Sequence, residues 1–187
     1  MACAAPTSWS RSSPPPNTTP REGAPVADLI ATHPLDQLAQ SIGAHHLAAA
    51  PQGRITALAP FETKGLPAPG RAVAHSGGLT LWAGHGLWLA TGTPPALTPA
   101  TDATDAWVAV RLTGPAPDAV LARLVPVDLR PLHFAPGHVA RTLLGHVAVL
   151  IHRPATAPDA LEVWLPRSMA AHALDDLAEA MRAVAAR

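Results

Sequence analysis

In a chain of 187 residues, Lys+Arg and Asp+Glu stand at 13 each, so the formal net charge is zero, and only 14% of residues are charged. A balanced chain without a basic run gives no electrostatic reason to bind nucleic acid or an anionic membrane, and no apolar run approaches the ~18 residues of a membrane span. The charged fraction is low against about 25% in most soluble proteins, which leaves a surface poorly protected against association and favours partial cover by another protein.

The single cysteine, Cys3, cannot form an internal disulfide. With no charged start followed by an apolar block, the expected location is cytoplasmic. Residues 1–25 are rich in Pro, Ser and Thr, with Trp9 the odd aromatic. Such a composition buries too little surface to offset the entropy of ordering, so a disordered tail is expected. Residues 26–53 are read as a short helical lead-in. Pro34 suits a first helical position, Leu35, Leu38 and Ile42 fall on one face, and Gly43 suits the stop. Residues 54–187 are read as a single α+β domain.

Within that domain, RITALAP opens a strand that Pro60, Gly65, Pro67 and Pro69 interrupt. GLTLWAGHGLWLATG reads as a hairpin turning at Gly84-His85-Gly86. In AWVAVRL, Val108, Val110 and Leu112 share one face, and Trp107, Ala109 and Arg111 the other. Gly114-Pro115 turns the chain into a short helix begun by Pro117 and Asp118, with Val120, Leu121, Leu124 and Val125 buried. Residues 139–153 are predicted to be one long strand, with Leu143, Val147, Val149 and Ile151 on one face. The other face takes Thr142, Leu144, His146, Ala148, Leu150 and His152. ALEVWLP is a further strand with Leu161, Val163 and Leu165 inward. The last helix is capped by Ser168 and buries Ala170, Ala173, Leu174, Leu177, Met181 and Val184. Strands interrupted by two helices predict an α+β fold: a mostly antiparallel sheet with both helices packed on one face, since each has one apolar stripe to hide.

No residue is assigned a catalytic, cofactor-binding or metal-ligating role. Gly84-His85-Gly86 lacks both the P-loop and the dinucleotide pattern. The ten histidines contain no zinc-like spacing, and His45 and His46, being adjacent, point different ways. No serine sits in a nucleophile elbow. Asp102/Asp105 and Asp175/Asp176 read as a loop and a solvated helix face. Arg130, Arg141, Arg153 and Arg167 lie at or near element ends. A cation at a helix start is mildly unfavourable, so a carboxylate partner, on this chain or on another, is one explanation and a solvated arginine the other. Arg130, Arg141, His146 and Arg167 are the candidate subunit interface.

Several blocks also resemble a known family. DAWVAVRLTGP at 105–115, LARLVPVDLRP at 121–131, ARTLLGHVAVLIHR at 140–153 and LEVWLPRSMAAH at 161–172, with RITALAP at 54–60 and PAPGR at 67–71, are similar in order and spacing to the gamma subunit of heterotetrameric sarcosine oxidase. The resemblance spans roughly residues 54–182. It implies a fold similar to a folate-binding aminomethyltransferase module that holds no cofactor of its own. It implies alpha, beta and delta partner subunits carrying NAD and tetrahydrofolate (alpha), FAD and covalent FMN (beta) and zinc (delta). The assembly so implied oxidatively demethylates sarcosine to glycine, passes the one-carbon unit to tetrahydrofolate and forms hydrogen peroxide. Two departures stand out. A longer Ala-rich insert is expected in relatives between Glu62 and Leu66, where only Thr63, Lys64 and Gly65 remain, and the N-terminal segment has no counterpart.

Two other classes compete with a non-catalytic subunit. One is a free-standing folate or one-carbon binding module, which needs a buried carboxylate for the pterin; Glu162 and Asp105 are poor candidates. The other is a metal binder using His133, His138, His146 and His152.

Overall fold

The computed structural model describes Leu35 and residues 38–187; the tail, Trp9 and most of the residues proposed to start the first helix lie outside the described residues. Eleven strands and two helices are described, arranged as two antiparallel sheets with the helices on one side. The first sheet contains β1 (Ala39–Ile42), β2 (His45–Ala49), β8 (Trp107–Thr113), β9 (Val139–Leu144), β10 (Val147–His152) and β11 (Leu161–Pro166). Its order is β1-β2-β8-β11-β10-β9. The second contains β3 (Ile55–Leu58), β4 (Ala72–His75), β5 (Gly78–Gly84), β6 (Leu87–Thr91) and β7 (Ala100–Asp102), in the order β4-β5-β6-β3-β7. Helix α1 spans Pro117–Leu121 and α2 spans Ala170–Ala185.

Alternation along the strands explains the layering. On one face of the six-stranded sheet, Val108, Val110, Leu112, Val147, Val149, Ile151, Leu161, Val163 and Leu165 are buried against Val120 and Leu121 of α1 and Ala173, Leu177 and Met181 of α2. Both helices therefore share a face, as their single apolar stripes require. On the opposite face, Ala109, Leu150 and Trp164 meet Ile55, Leu81, Ala83 and Leu89 of the five-stranded sheet. Strand β11 is covered on both sides, which is why LEVWL reads as a nearly continuous apolar run. Leu177 is fully buried in the helix–sheet core. Leu177→Ala is expected to cost about 3 kcal/mol, through lost transfer energy and the cavity left behind. A urea midpoint shift at constant slope would measure it.

Three expectations are corrected. The predicted helix over 33–43 does not continue through its C-terminal part: Ala39–Ile42 is a strand paired antiparallel with His45–Ala49, Ile42 opposite His45. Gly43, at φ +60°, serves the two-residue hairpin turn with Ala44 rather than a helix stop. Leu38 and Ile42 still reach the core, so the spacing that suggested a helical stripe is also satisfied by an extended segment.

The long strand over 139–153 is likewise a hairpin. Leu144 pairs with Val147 across a Gly145-His146 turn, with Gly145 at φ +56°. The turn changes the faces: Leu144 joins Val147 and Val149 in the core, while Leu143 is half exposed. Finally, Ser168 does not cap the last helix. A short 3-10 turn, Arg167–Met169, precedes α2, Met169 occupies the cap position, and no side chain caps it. Pro166 ends the strand pairing opposite Trp107, and the tight turn after it supplies the change of direction.

Candidate functional site

Opposed residues on neighbouring strands bring their side chains together. Glu162 on β11 lies opposite His152 on β10 and Arg111 on β8. All three have the parity of Leu150, Trp164 and Ala109, so they point toward the five-stranded sheet, one step beyond the apolar inter-sheet core. Arg111 donates to Oε1 of Glu162 from Nε at 3.2 Å and Nη2 at 2.7 Å. His152 Nδ1 lies 3.1 Å from Oε2. Glu162 and His152 are buried, while the Arg111 side chain keeps 32% of its surface.

Burial of Glu162 raises its carboxyl pKa, but the hydrogen bonds from His152 and Arg111, with their charges, outweigh that penalty and hold it below its ordinary value. The ionised form is therefore the native one. The row forms part of the lining of a cleft of about 230 Å³ between the sheets. The opposite wall comes from Ala72 and Ala74 of β4, Leu79 of β5 and Thr91 of β6.

The four proposed interface residues are placed on separate segments, and no hydrogen bond or ion pair joins any two of them among the described residues. Arg130, in the loop after α1, grips Asp128 with its side chain and its backbone N–H, and holds that carboxyl well below its usual range. Arg141 on β9 donates to the carbonyl of Ala83 at 3.3 Å. His146 is exposed in the β9–β10 turn. Arg167 reaches Asp105 at 2.9 Å, so the cation at the start of the last helix has a carboxylate within its own chain. Asp105 itself is exposed, and Glu162 is the buried carboxylate of the two considered for a pterin.

Arg153 has a different environment from the other three element-end arginines. It is buried and donates to three backbone carbonyls: Nε to Phe134 at 2.7 Å, Nη2 to Leu129 at 2.7 Å and Nη1 to Pro158. Desolvation lowers its pKa, opposed by Asp118 and Asp159. Its position after β10 fastens the 129–138 loop and the 154–160 turn to the sheet. Of the histidines considered for metal, His133 lies near Asp128 and His152 belongs to the buried row. Among the described residues, no group of three or more His, Cys, Asp or Glu could hold a metal ion.

A second concavity lies on the outer side of the five-stranded sheet. Leu58, Trp88 and Ala90 form a small buried cluster there, with Leu66 and Trp82 packed on it. Trp88 Nε1 donates to the Pro67 carbonyl at 2.9 Å, anchoring the 59–70 loop. Phe61 projects from that loop almost fully exposed, beside a groove of about 770 Å³ lined by Trp82, Trp88 and the loop prolines. This loop contains the Glu62–Leu66 segment, where a longer insert was expected in relatives.

No protein-family model and no curated protein matches the chain. Among solved structures it is similar to a chain of the heterotetrameric sarcosine oxidase from Corynebacterium sp. U-96, determined in complex with pyrrole 2-carboxylate. The TM-score is 0.66 at 24% sequence identity, over 82% of this chain and 92% of that one. The likeness establishes a shared fold. Among the described residues, no helix is long and apolar enough to cross a membrane.

Sequence reasoning missed the row itself. Glu162 was a visible anomaly, one charge inside an apolar strand, and Arg111 was assigned to the correct face. What joined them was the pairing of β8 with β11 and of β11 with β10, for which the sequence carries no local signal.

Proposed function

We propose that the chain is the gamma-type, non-catalytic subunit of a heterotetrameric sarcosine oxidase assembly in the cytoplasm. The observation that carries this reading is the likeness to a chain of such an oxidase over 92% of that chain's length. The ordered blocks from 54 to 182 support it, as does an exposed aromatic groove around Phe61 on a chain with few charges. In this reading the alpha, beta and delta subunits carry NAD, tetrahydrofolate, FAD, FMN and zinc. The chain's own residues contribute a rigid two-sheet body against which those subunits pack. A free-standing folate module has less support, because both oxygens of the one buried carboxylate considered for the pterin are already engaged by Arg111 and His152.

Co-expression of this chain with candidate alpha, beta and delta subunits tests the proposal. A stoichiometric yellow complex is expected, with sarcosine-dependent peroxide formation that is lost when this chain is left out. A colourless, solitary chain would overturn the assignment.

A further inference from the structure

We propose that the cleft between the two sheets is a binding site for a small organic carboxylate, held by the unused edge of Arg111. Nε and Nη2 of Arg111 are committed to Glu162, whereas Nη1 makes no hydrogen bond among the described residues and the side chain lines the cleft. A guanidinium clamped along one side still presents its Nη1/Nη2 end in a fixed direction, and that fork matches a carboxylate bidentately. The carboxylate of Glu162 fixes the orientation of Arg111, so little side-chain entropy remains to be lost on binding.

The other groups in the cleft favour an anion over a cation. Glu162 has both oxygens engaged, and an ammonium approaching it would lie beside the guanidinium. Thr91 Oγ1 is occupied by the backbone N–H and carbonyl of Leu79. The rest of the lining includes Pro51, Ala72, Ala74, Leu79 and Pro154, which suits a short hydrocarbon body. A volume of about 230 Å³ falls below the ~300–1,000 Å³ of drug-sized sites, so the ligand is a few carbons or a single ring. Trp164, which also lines the cleft, carries an indole Nε1 that is buried and has no hydrogen-bond partner among the described residues. Its ring lines the cleft, so its indole signal reports on what enters there. None of these observations depends on the oxidase reading.

The test uses the full-length chain with 15N-labelled tryptophan, which gives five indole signals; that of Trp164 is identified by its loss in Trp164→Phe. Acetate, butyrate and benzoate are titrated against the corresponding primary amides, which match them in shape but lack charge. At least one acid is expected to move the Trp164 signal saturably, with its amide weaker by about ten-fold or more, since charge-assisted bonds are roughly twice as strong as neutral ones. Ala74→Leu, an exposed position on β4 that lines the cleft, is expected to abolish the response while leaving the fold intact. Arg111→Lys, which keeps the charge but loses the fork, is expected to weaken it. Equal responses to acids and amides, persistence in Ala74→Leu, or no saturable movement with any probe would each overturn the proposal.

Discussion

Arg153→Met is expected to lower the stability of the chain by about 3 kcal/mol, because methionine fills the stem's space but leaves buried carbonyls without a donor, each costing about 1–3 kcal/mol. The carbonyls of Leu129 and Phe134 lose their partner in the interior, whereas Pro158 is exposed and its carbonyl can turn to water. Arg153→Lys should recover only part of the loss, since one ammonium cannot span three acceptors spaced for a planar fork. Urea denaturation measures the effect, and hydrogen exchange locates it. The amides of His133, Phe134 and Ala160, which bond within the two fastened loops, should lose protection first. A change within about 0.5 kcal/mol, typical of an uninvolved surface position, would mean that the loops are held by other contacts.

Glu162→Gln should produce a loss of similar size with a distinctive dependence on pH. Removing one member of a buried ion pair costs about 3–5 kcal/mol, and the solvent access of Arg111 places this site at the lower end. The native carboxyl has a pKa below its unfolded value. Glu162 therefore contributes its full stabilisation above the ordinary glutamate pKa, and that contribution disappears as pH falls through the native value. The gap between wild type and variant should be widest at neutral pH and should close in acid. Other depressed carboxyls, Asp102 and Asp128, are common to both chains and cancel in the difference. A gap of constant size from neutral to strongly acid pH would show that the ionised carboxylate is not what the native state favours.

How much of this was legible beforehand depended on how local the signal was. The faces of β8 and β11 and the stripe of α2 were readable because each is set by alternation or by helical spacing within a few residues. Pro117 and Asp118 do begin α1. The errors fell where one residue type serves two purposes. Gly43 ends a helix as readily as it turns a hairpin, and Leu38 and Ile42 suit either. Gly145-His146 lies inside a run apolar enough to pass for one strand, so the missed turn grouped Leu143 rather than Leu144 with Val147 and Val149. The Arg111–Glu162–His152 row depended on the registers of three strands drawn from distant parts of the chain, and residue 162 alone looked like a weak carboxylate candidate. Arg153 looked like three other element-end arginines until its carbonyl partners were known.

The strand order also bears on how this architecture tolerates change. Strands β2 and β8 are neighbours in one sheet, yet the whole five-stranded sheet, residues 55–102, lies between them in sequence. Ala50 donates to the Ala109 carbonyl at 2.9 Å, so the chain leaves and returns at almost the same point. Topologically the second sheet is a guest inserted into the first. Loop-closure entropy grows only logarithmically with length, so the host is nearly indifferent to how many residues its guest contains. The gain or loss of a segment such as the one between Glu62 and Leu66 can therefore redraw the outer surface while the host sheet and its helices keep their register.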